Sequence, residues 1–340
     1  MAKKLGERIV PHFNFILQPE FPLNGLILAS DSLRISNQNS GKTLFSWTYV
    51  SVTGEPVRAS NGMWLSADCS LQEMPRGHVY LLFEGNLPTQ RNSPKLLSSL
   101  RAAARFGAII GSVDTGAFAL AQAGLIATER DTDVVLHWEA TPTFKERFSA
   151  ARPLNQLFLR REKRVHCAGG VATLDMMLDL IGALRGEALA NEVANALVHS
   201  RRNAEVEQRS DGLMESGRSP LAGRVVRLME ENLDFPLNLA ELAEAVEIPP
   251  RTLSYVCNQV FRESPMRLYL KVRLQAARNF LFYEEQSIKD VALACGFSYP
   301  SVFSRAFHQQ FGQTPREFRR RLRETQNMAV RPEIRRLLSS

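Results

Sequence analysis

The sequence predicts an α/β doubly wound domain followed by an all-α domain. Three observations carry this. Through the first 190 residues, short apolar runs alternate with amphipathic stretches, as strand–helix–strand units require. From Leu221 onward the strand-like runs stop and helical spacing dominates. Within this helical region a single residue pattern occurs twice, at an offset of 49 residues and then 50.

The elements follow in order. Phe13–Leu17 (FNFIL) is a short apolar run, the pattern of a buried parallel strand. Pro19 to Pro22 make a turn, and Leu23 to Leu33 read as a helix. Trp47–Val52 is a second strand, rich in aromatic and β-branched residues. Val57–Leu65 reads as short strands around Asn61-Gly62, a hairpin signal. His78–Phe83 is a third buried strand, ending in Glu84-Gly85-Asn86. Pro94–Phe106 is an amphipathic helix, Ala108–Val113 a strand and Gly116–Ile126 a helix. Cys167 to Gly170 end a strand and open a helix over Val171–Leu184. The stretch 187–209 reads as a further helix, with Leu189, Val193 and Leu197 on one face.

In doubly wound sheets ligands sit at the carboxyl ends of strands. Two such ends stand out, Glu84-Gly85-Asn86 and Val113-Asp114-Thr115-Gly116. In the second, Gly111 and Gly116 flank Asp114 and allow a sharp strand-to-helix elbow above a helix N-terminus. About twenty residues on come His137, Trp138 and Glu139. The candidate ligand-binding residues are therefore Asp114, Thr115, Glu84, Gly85, His137 and Trp138. A carboxylate beside an aromatic face suits a cationic amine. Plainer readings stand beside this one. Asp114 also suits a helix cap, His137 a buried histidine bonded to backbone, Trp138 a core residue and Glu84 a solvated strand end.

The second domain carries two helix-turn-helix patterns. In the later copy Ile288, Val291, Ala292 and Cys295 mark one buried helix face, and Gly296 makes the turn. Val302, Phe303, Ala306, Phe307 and Phe311 are expected inward on the next helix. In the earlier copy Leu239, Leu242, Ala243 and Val246 repeat the first helix, and Leu253, Val256 and Phe261 repeat the second. Asn238 with Glu241 predicts a capping box. The unequal offset gives one copy a single extra residue near the turn. Recognition helices read bases with their N-terminal halves. The candidate DNA-reading residues are Arg251, Thr252, Ser254 and Tyr255 in the first module, and Ser298, Tyr299, Ser301 and Arg305 in the second.

On these residues the segment 221–325 resembles the AraC/XylS-type DNA-binding domain. The match extends through Ser264-Pro265, Arg273-Leu274, Ala277-Arg278, Leu281, Cys295-Gly296-Phe297, Phe311-Gly312 and Pro315. The region from about 10 to 190 resembles the class I glutamine amidotransferase-like (PfpI-type) domain, a flavodoxin-like fold, in the form fused to such regulators. TGAFALAQAGL after the elbow, the His137-Trp138 pair and AGGVATLDMMLDLI carry that likeness. Catalytic members of that fold hold Cys at the elbow, where this chain has Asp114. A carboxylate does not replace an attacking thiolate, so no hydrolysis is expected. The resemblance implies a regulator that responds to a small nitrogenous metabolite, such as a quaternary amine of the betaine or carnitine kind, or arginine. The alternatives are an amidase-like enzyme domain fused to a DNA anchor, and a ligand-independent DNA-binding protein.

Composition agrees. The formal charge is +7. Residues 1–200 hold 20 Lys and Arg against 18 Asp and Glu, whereas residues 201–340 hold 22 against 17. The basic excess thus lies with the helix-turn-helix region, as phosphate contact needs. Cys69, Cys167, Cys257 and Cys295 have no metal-ligand spacing and read as reduced thiols of a cytoplasmic protein. No metal or cofactor is expected. MAKKLGERIV lacks the apolar stretch of a signal peptide, and no run approaches the roughly 18 residues of a membrane span. The expected organisation is a sensing and dimerisation domain over 1–209, a linker over 210–220, a DNA-binding domain over 221–325 and a basic tail over 326–340. The expected partners are double-stranded promoter DNA, a small effector, a second copy of the chain and, for an activator, RNA polymerase.

Overall fold

The computed structural model describes residues 9–85, 92–128, 132–208, 220–283 and 286–327. Two compact units divide after Gln208. Most of the expected linker and tail, and Asn86, lie outside the described residues.

The strands of the first unit are β1 (His12–Leu17), β2 (Ser46–Ser51), β3 (Val57–Arg58), β4 (Trp64–Leu65), β5 (Cys69–Ser70), β6 (Val79–Glu84), β7 (Ile109–Asp114), β8 (Asp133–Val134), β9 (Arg152–Pro153), β10 (Phe158–Arg161) and β11 (Arg164–Cys167). Its helices are α1 (Leu23–Ser40), α2 (Pro94–Arg105), α3 (Ala117–Gln122), α4 (Thr141–Arg147), α5 (Ala172–Arg185) and α6 (Glu187–Ala196). Seven strands form one sheet in the order β10-β11-β7-β6-β1-β2-β5. Pairing is parallel except between β10 and β11. The inner order β2-β1-β6-β7-β11 is that of the flavodoxin-like doubly wound fold.

Register explains the core. Phe13, Phe15 and Leu17 stand beside Val79, Leu81 and Phe83. These residues share one apolar cluster with Leu26, Ala29 and Leu33 of α1 and Met176, Met177 and Leu180 of α5. Alternate residues such as Ile16, Leu82 and Ile110 point to the other face and are equally buried. There α2 and α3 pack on β7 and on each other. Both faces are covered, so the central strands read as continuous apolar runs.

The second unit is helical: α7 (Pro220–Glu231), α8 (Leu239–Ala245), α9 (Pro250–Phe261), α10 (Pro265–Tyr283), α11 (Ile288–Ala294), α12 (Pro300–Phe311) and α13 (Pro315–Asn327). Each helix pair has its own core. Val225, Met229, Leu242, Leu253 and Cys257 form the first with Tyr269 of α10. Leu274, Ala277 and Leu281 of α10 form the second with Val291, Cys295, Phe303 and Phe307. The Asn238–Glu241 capping box is complete. The helix starts are offset by 49 and 50 residues, and the extra residue lies in the later turn. In the earlier turn Glu247 takes the left-handed conformation that Gly296 takes in the later one.

Several expectations are corrected. Val302 is 43% exposed rather than inward, because Phe303 and Phe307 occupy the buried face. Helix α3 is shorter than expected, since Gly124 and Ala127 adopt positive φ. Helix α6 stops at Ala196, because Val198 turns left-handed and the following residues bond to Asp175. Helix α1 runs on to Ser40, where Gly41 caps it in the left-handed region. The strands β5, β8, β9 and β10 and helix α4 have no periodic signal long enough to read.

Candidate functional site

Strand β7 ends in an elbow. Asp114 sits at φ 63°, in the left-handed region that Asp tolerates better than most side chains. Below it Thr115 is fully buried, and its hydroxyl donates to the Gly85 carbonyl. The Thr115 N–H donates to the Glu84 carbonyl at 3.1 Å. Helix α3 starts after Gly116, and the Asp114 carboxyl bonds to the Thr115 backbone at the elbow. Asp114 lines a cavity of about 400 Å³, a volume suited to a small metabolite. Burial raises the Asp114 carboxyl to about 6, with His137 pulling it down and Glu139 pushing it up.

The other walls come from distant stretches of the chain. His137 and Trp138 follow β8, and the His137 N–H donates to the Asp114 carbonyl at 3.3 Å. Their rings lie 5.9 Å apart between centroids. The turn between β11 and α5 supplies Ala168 to Ala172, with Gly169 and Gly170 both at positive φ. The turn leads directly into α5, where the Thr173 and Leu174 N–H groups donate to the Gly170 and Val171 carbonyls at 3.3 and 3.0 Å. Pro22, Asn24, Ser60, Leu157, Arg202 and Gln208 also line the cavity. Asp175, buried in α5, accepts from Arg202 Nε at 2.9 Å and Nη2 at 2.7 Å. Among the described lining residues, Asp114 is thus the anionic group and Arg202 a fixed cation.

Of the predicted ligand residues, the fold brings Asp114, His137 and Trp138 to this cavity. Glu84, Gly85 and Thr115 are not among its lining. Register sets Glu84 beside Asp114, but its side chain is wholly buried. A side chain on Gly85 would meet the Glu20 carbonyl at 2.0 Å, so its role is close packing. Sequence reasoning misses Arg202 and Gln208, because HSRRNAEVEQ reads only as a polar continuation of α6. Cys167 pairs in register with Val113, next to the elbow. Its sulfur is buried, accepts from the Gly169 N–H at 3.4 Å, and is pushed up to about 12 by burial.

In the second unit α9 exposes Arg251, Thr252 and Tyr255, while Ser254 is half-buried on the flank. In α12 Ser301 and Arg305 are exposed, and Ser298 and Tyr299 precede the helix. The 50-residue offset maps Thr252 onto Val302, so Val302 belongs to the outward face. That register is the signal by which it can be found. A valine there offers an apolar contact of the kind that recognises a thymine methyl. Helix α10 holds the later turn in place. Arg273 donates to the Cys295 and Gly296 carbonyls, both at 2.7 Å, and lies 4.2 Å over the Phe297 ring. Gly296 leaves no room for a side chain, since a Cβ would lie 2.5 Å from Pro236.

Residues 242–321 match a family model described as a helix-turn-helix domain. CdhR of Pseudomonas aeruginosa, an HTH-type transcriptional regulator, is 35% identical over 312 residues, covering 90% of this chain and 91% of the relative. An AraC family transcriptional regulator from Pseudomonas putida matches in structure with a TM-score of 0.50 and 25% identity, over 55% of this chain and 99% of that one. The chain belongs to the AraC family of HTH-type transcriptional regulators. GlxA of Rhizobium meliloti, another HTH-type transcriptional regulator, is 31% identical to this AraC-family chain over 94% of its length and 99% of the relative. The fold of a ThiJ/PfpI family protein from Pseudomonas syringae matches over 69% of the chain and 90% of that protein, with a TM-score of 0.50 and 17% identity. The AraC-family chain therefore joins a PfpI-like α/β unit to a helix-turn-helix unit. Among its described residues no helix is long and apolar enough to cross a membrane.

Proposed function

We propose that this regulator is a cytoplasmic homodimeric activator whose α/β unit binds a small amine and whose helical unit then engages promoter DNA and RNA polymerase. One observation carries the effector class. Asp114 and Trp138 line one cavity, and Arg202 and the start of α5 line it as well. A carboxylate beside an indole suits an ammonium group. A guanidinium suits a carboxylate. A small amine, cationic or zwitterionic, fits this pairing of charges.

The cavity is a binding site in this reading, not a catalytic one. Asp114 stands at the elbow, and the adjacent Cys167 is a buried thiol held in its neutral form. A thiol must ionise to attack a carbonyl.

The test is a thermal-shift screen of the full chain with choline, glycine betaine, carnitine and arginine. One of them should raise Tm for the wild type and lose that effect in Asp114→Asn, which keeps the left-handed backbone. A folded protein that no amine stabilises counts against the reading. Turnover of an amide or ester substrate would favour the enzyme alternative.

A further inference from the structure

The two recognition helices match position by position. From Arg251 to Gln259 in α9 and from Ser301 to Gln309 in α12, the order of exposed, half-buried and buried residues is the same. Phe303 and Phe307 sit where Leu253 and Cys257 sit, inside their module cores. The outward face is where the two helices differ. At its second place α9 has Thr252 and α12 has Val302. The apolar cluster around α12 takes Phe303, Ala306, Phe307 and Phe311 from this helix, but not Val302. An exposed β-branched residue also lowers helix propensity. Val302 therefore gives the fold little in return for leaving apolar surface in water.

What a valine can recognise is narrow, because it has no donor and no acceptor. Base pairs differ in the major groove by their hydrogen-bonding groups and by the C5 methyl of thymine. Only the methyl offers an apolar side chain a distinctive partner. The helix holds the valine χ1 in one rotamer, so its two methyl groups present a fixed surface. Val302 is the third residue of α12, with its N–H on the Tyr299 carbonyl at 3.0 Å. That is the half of a recognition helix that reaches bases. Ser301 and Arg305 are exposed on the same face. We infer that Val302 is a specificity-determining residue that reads one thymine through its 5-methyl group. Thr252 can bond a base edge as well as touch a methyl, whereas Val302 can do only the second. The second module is thus the more demanding of thymine at this place.

This rests on the reading that the helical unit engages promoter DNA, which retention of a duplex from a random library by the full wild-type chain tests by itself. In that duplex each thymine is then replaced in turn by deoxyuridine. The replacement removes the methyl and keeps every hydrogen-bonding group of the base. One replacement should weaken wild-type binding by about fourfold, the worth of burying one methyl group. Val302→Ser should bind the unmodified duplex more weakly by a similar factor and be indifferent to uracil at that position. Val302→Thr keeps one methyl on the same stiff side chain and should retain part of the sensitivity. A uracil profile in Val302→Ser identical to that of the wild type overturns the inference. So does a wild type indifferent to uracil at every thymine.

Discussion

Gly169 packs against Asp114 so closely that a methyl group on Gly169 would stand 2.9 Å from Asp114 Cβ and 3.2 Å from its Cα. The elbow at the end of β7 and the turn at the end of β11 are therefore fitted to each other. Gly169 also sits at φ 89°, where any side chain is strained. Gly169→Ala should cost about 1–3 kcal/mol of stability, from strain and overpacking together. Urea unfolding followed by the Trp residues of the first unit measures it. A loss below about 0.5 kcal/mol would mean that the two turns relax freely.

Asp114 makes the stability of the first unit depend on pH. Its carboxyl lies at about 6 in the fold, against the ordinary value of 3.8. A raised carboxylate pKa means that the folded state holds the proton more tightly than the unfolded chain. Ionising this group is then a cost that is absent below about pH 4, grows to about pH 6 and is constant above. Asp114→Asn should thus stabilise the protein at pH 7.5 and not at pH 4. Partial exposure limits the gain to about 1–2 kcal/mol. The difference in Tm between variant and wild type across that range checks it. Binding of an amine should tighten over the same interval, because the ionised carboxylate is the form that attracts it.

The elements legible in the sequence are those with long or repeated patterns. β1, β6 and β7 are buried on both faces, so FNFIL and HVYLLF announce themselves as apolar runs. The helix-turn-helix modules are legible because the chain states them twice, down to the extra residue in one turn. Val302 is misplaced when hydrophobicity is read within one copy, whereas the register between copies puts it beside Ser301 and Arg305 on the exposed face. Asp114, His137 and Trp138 are legible because strand ends and their neighbours are where such sheets bind ligands. Arg202 and Gln208 are not, because a polar stretch after a helix carries no sign of folding back over a sheet edge. Nor does a two-residue strand such as β8 carry any period.

Val198 breaks a rule of backbone conformation in the open. It is 95% exposed and sits at φ 52°, an outlier for a β-branched residue. It closes α6, with its N–H on the Asn195 carbonyl and the His199 N–H on the Ala194 carbonyl. This is the position that glycine usually takes at a helix end. Val198→Gly removes the left-handed strain and surrenders almost no buried surface. Against this, glycine gives the unfolded chain more freedom. The net effect should be a gain of about 0.5–1 kcal/mol. A drop in Tm would show instead that the valine side chain is covered in the assembled protein.

Arg251 separates the two recognition helices. It is the second residue of α9, exposed, and the 50-residue offset pairs it with Ser301 in α12. Only the first module therefore carries a guanidinium at this place, where bidentate contact to guanine is geometrically available. Arg251→Ala should weaken binding to a duplex selected by the wild-type chain by about 1–3 kcal/mol and relax the preference at one base pair. Binding to random duplex should change much less. Side-by-side titration of both duplexes, repeated at two salt concentrations, decides the role. An equal loss on both, with a shallower salt dependence, assigns Arg251 to a phosphate, and base reading in the first module then falls to Thr252 and Tyr255.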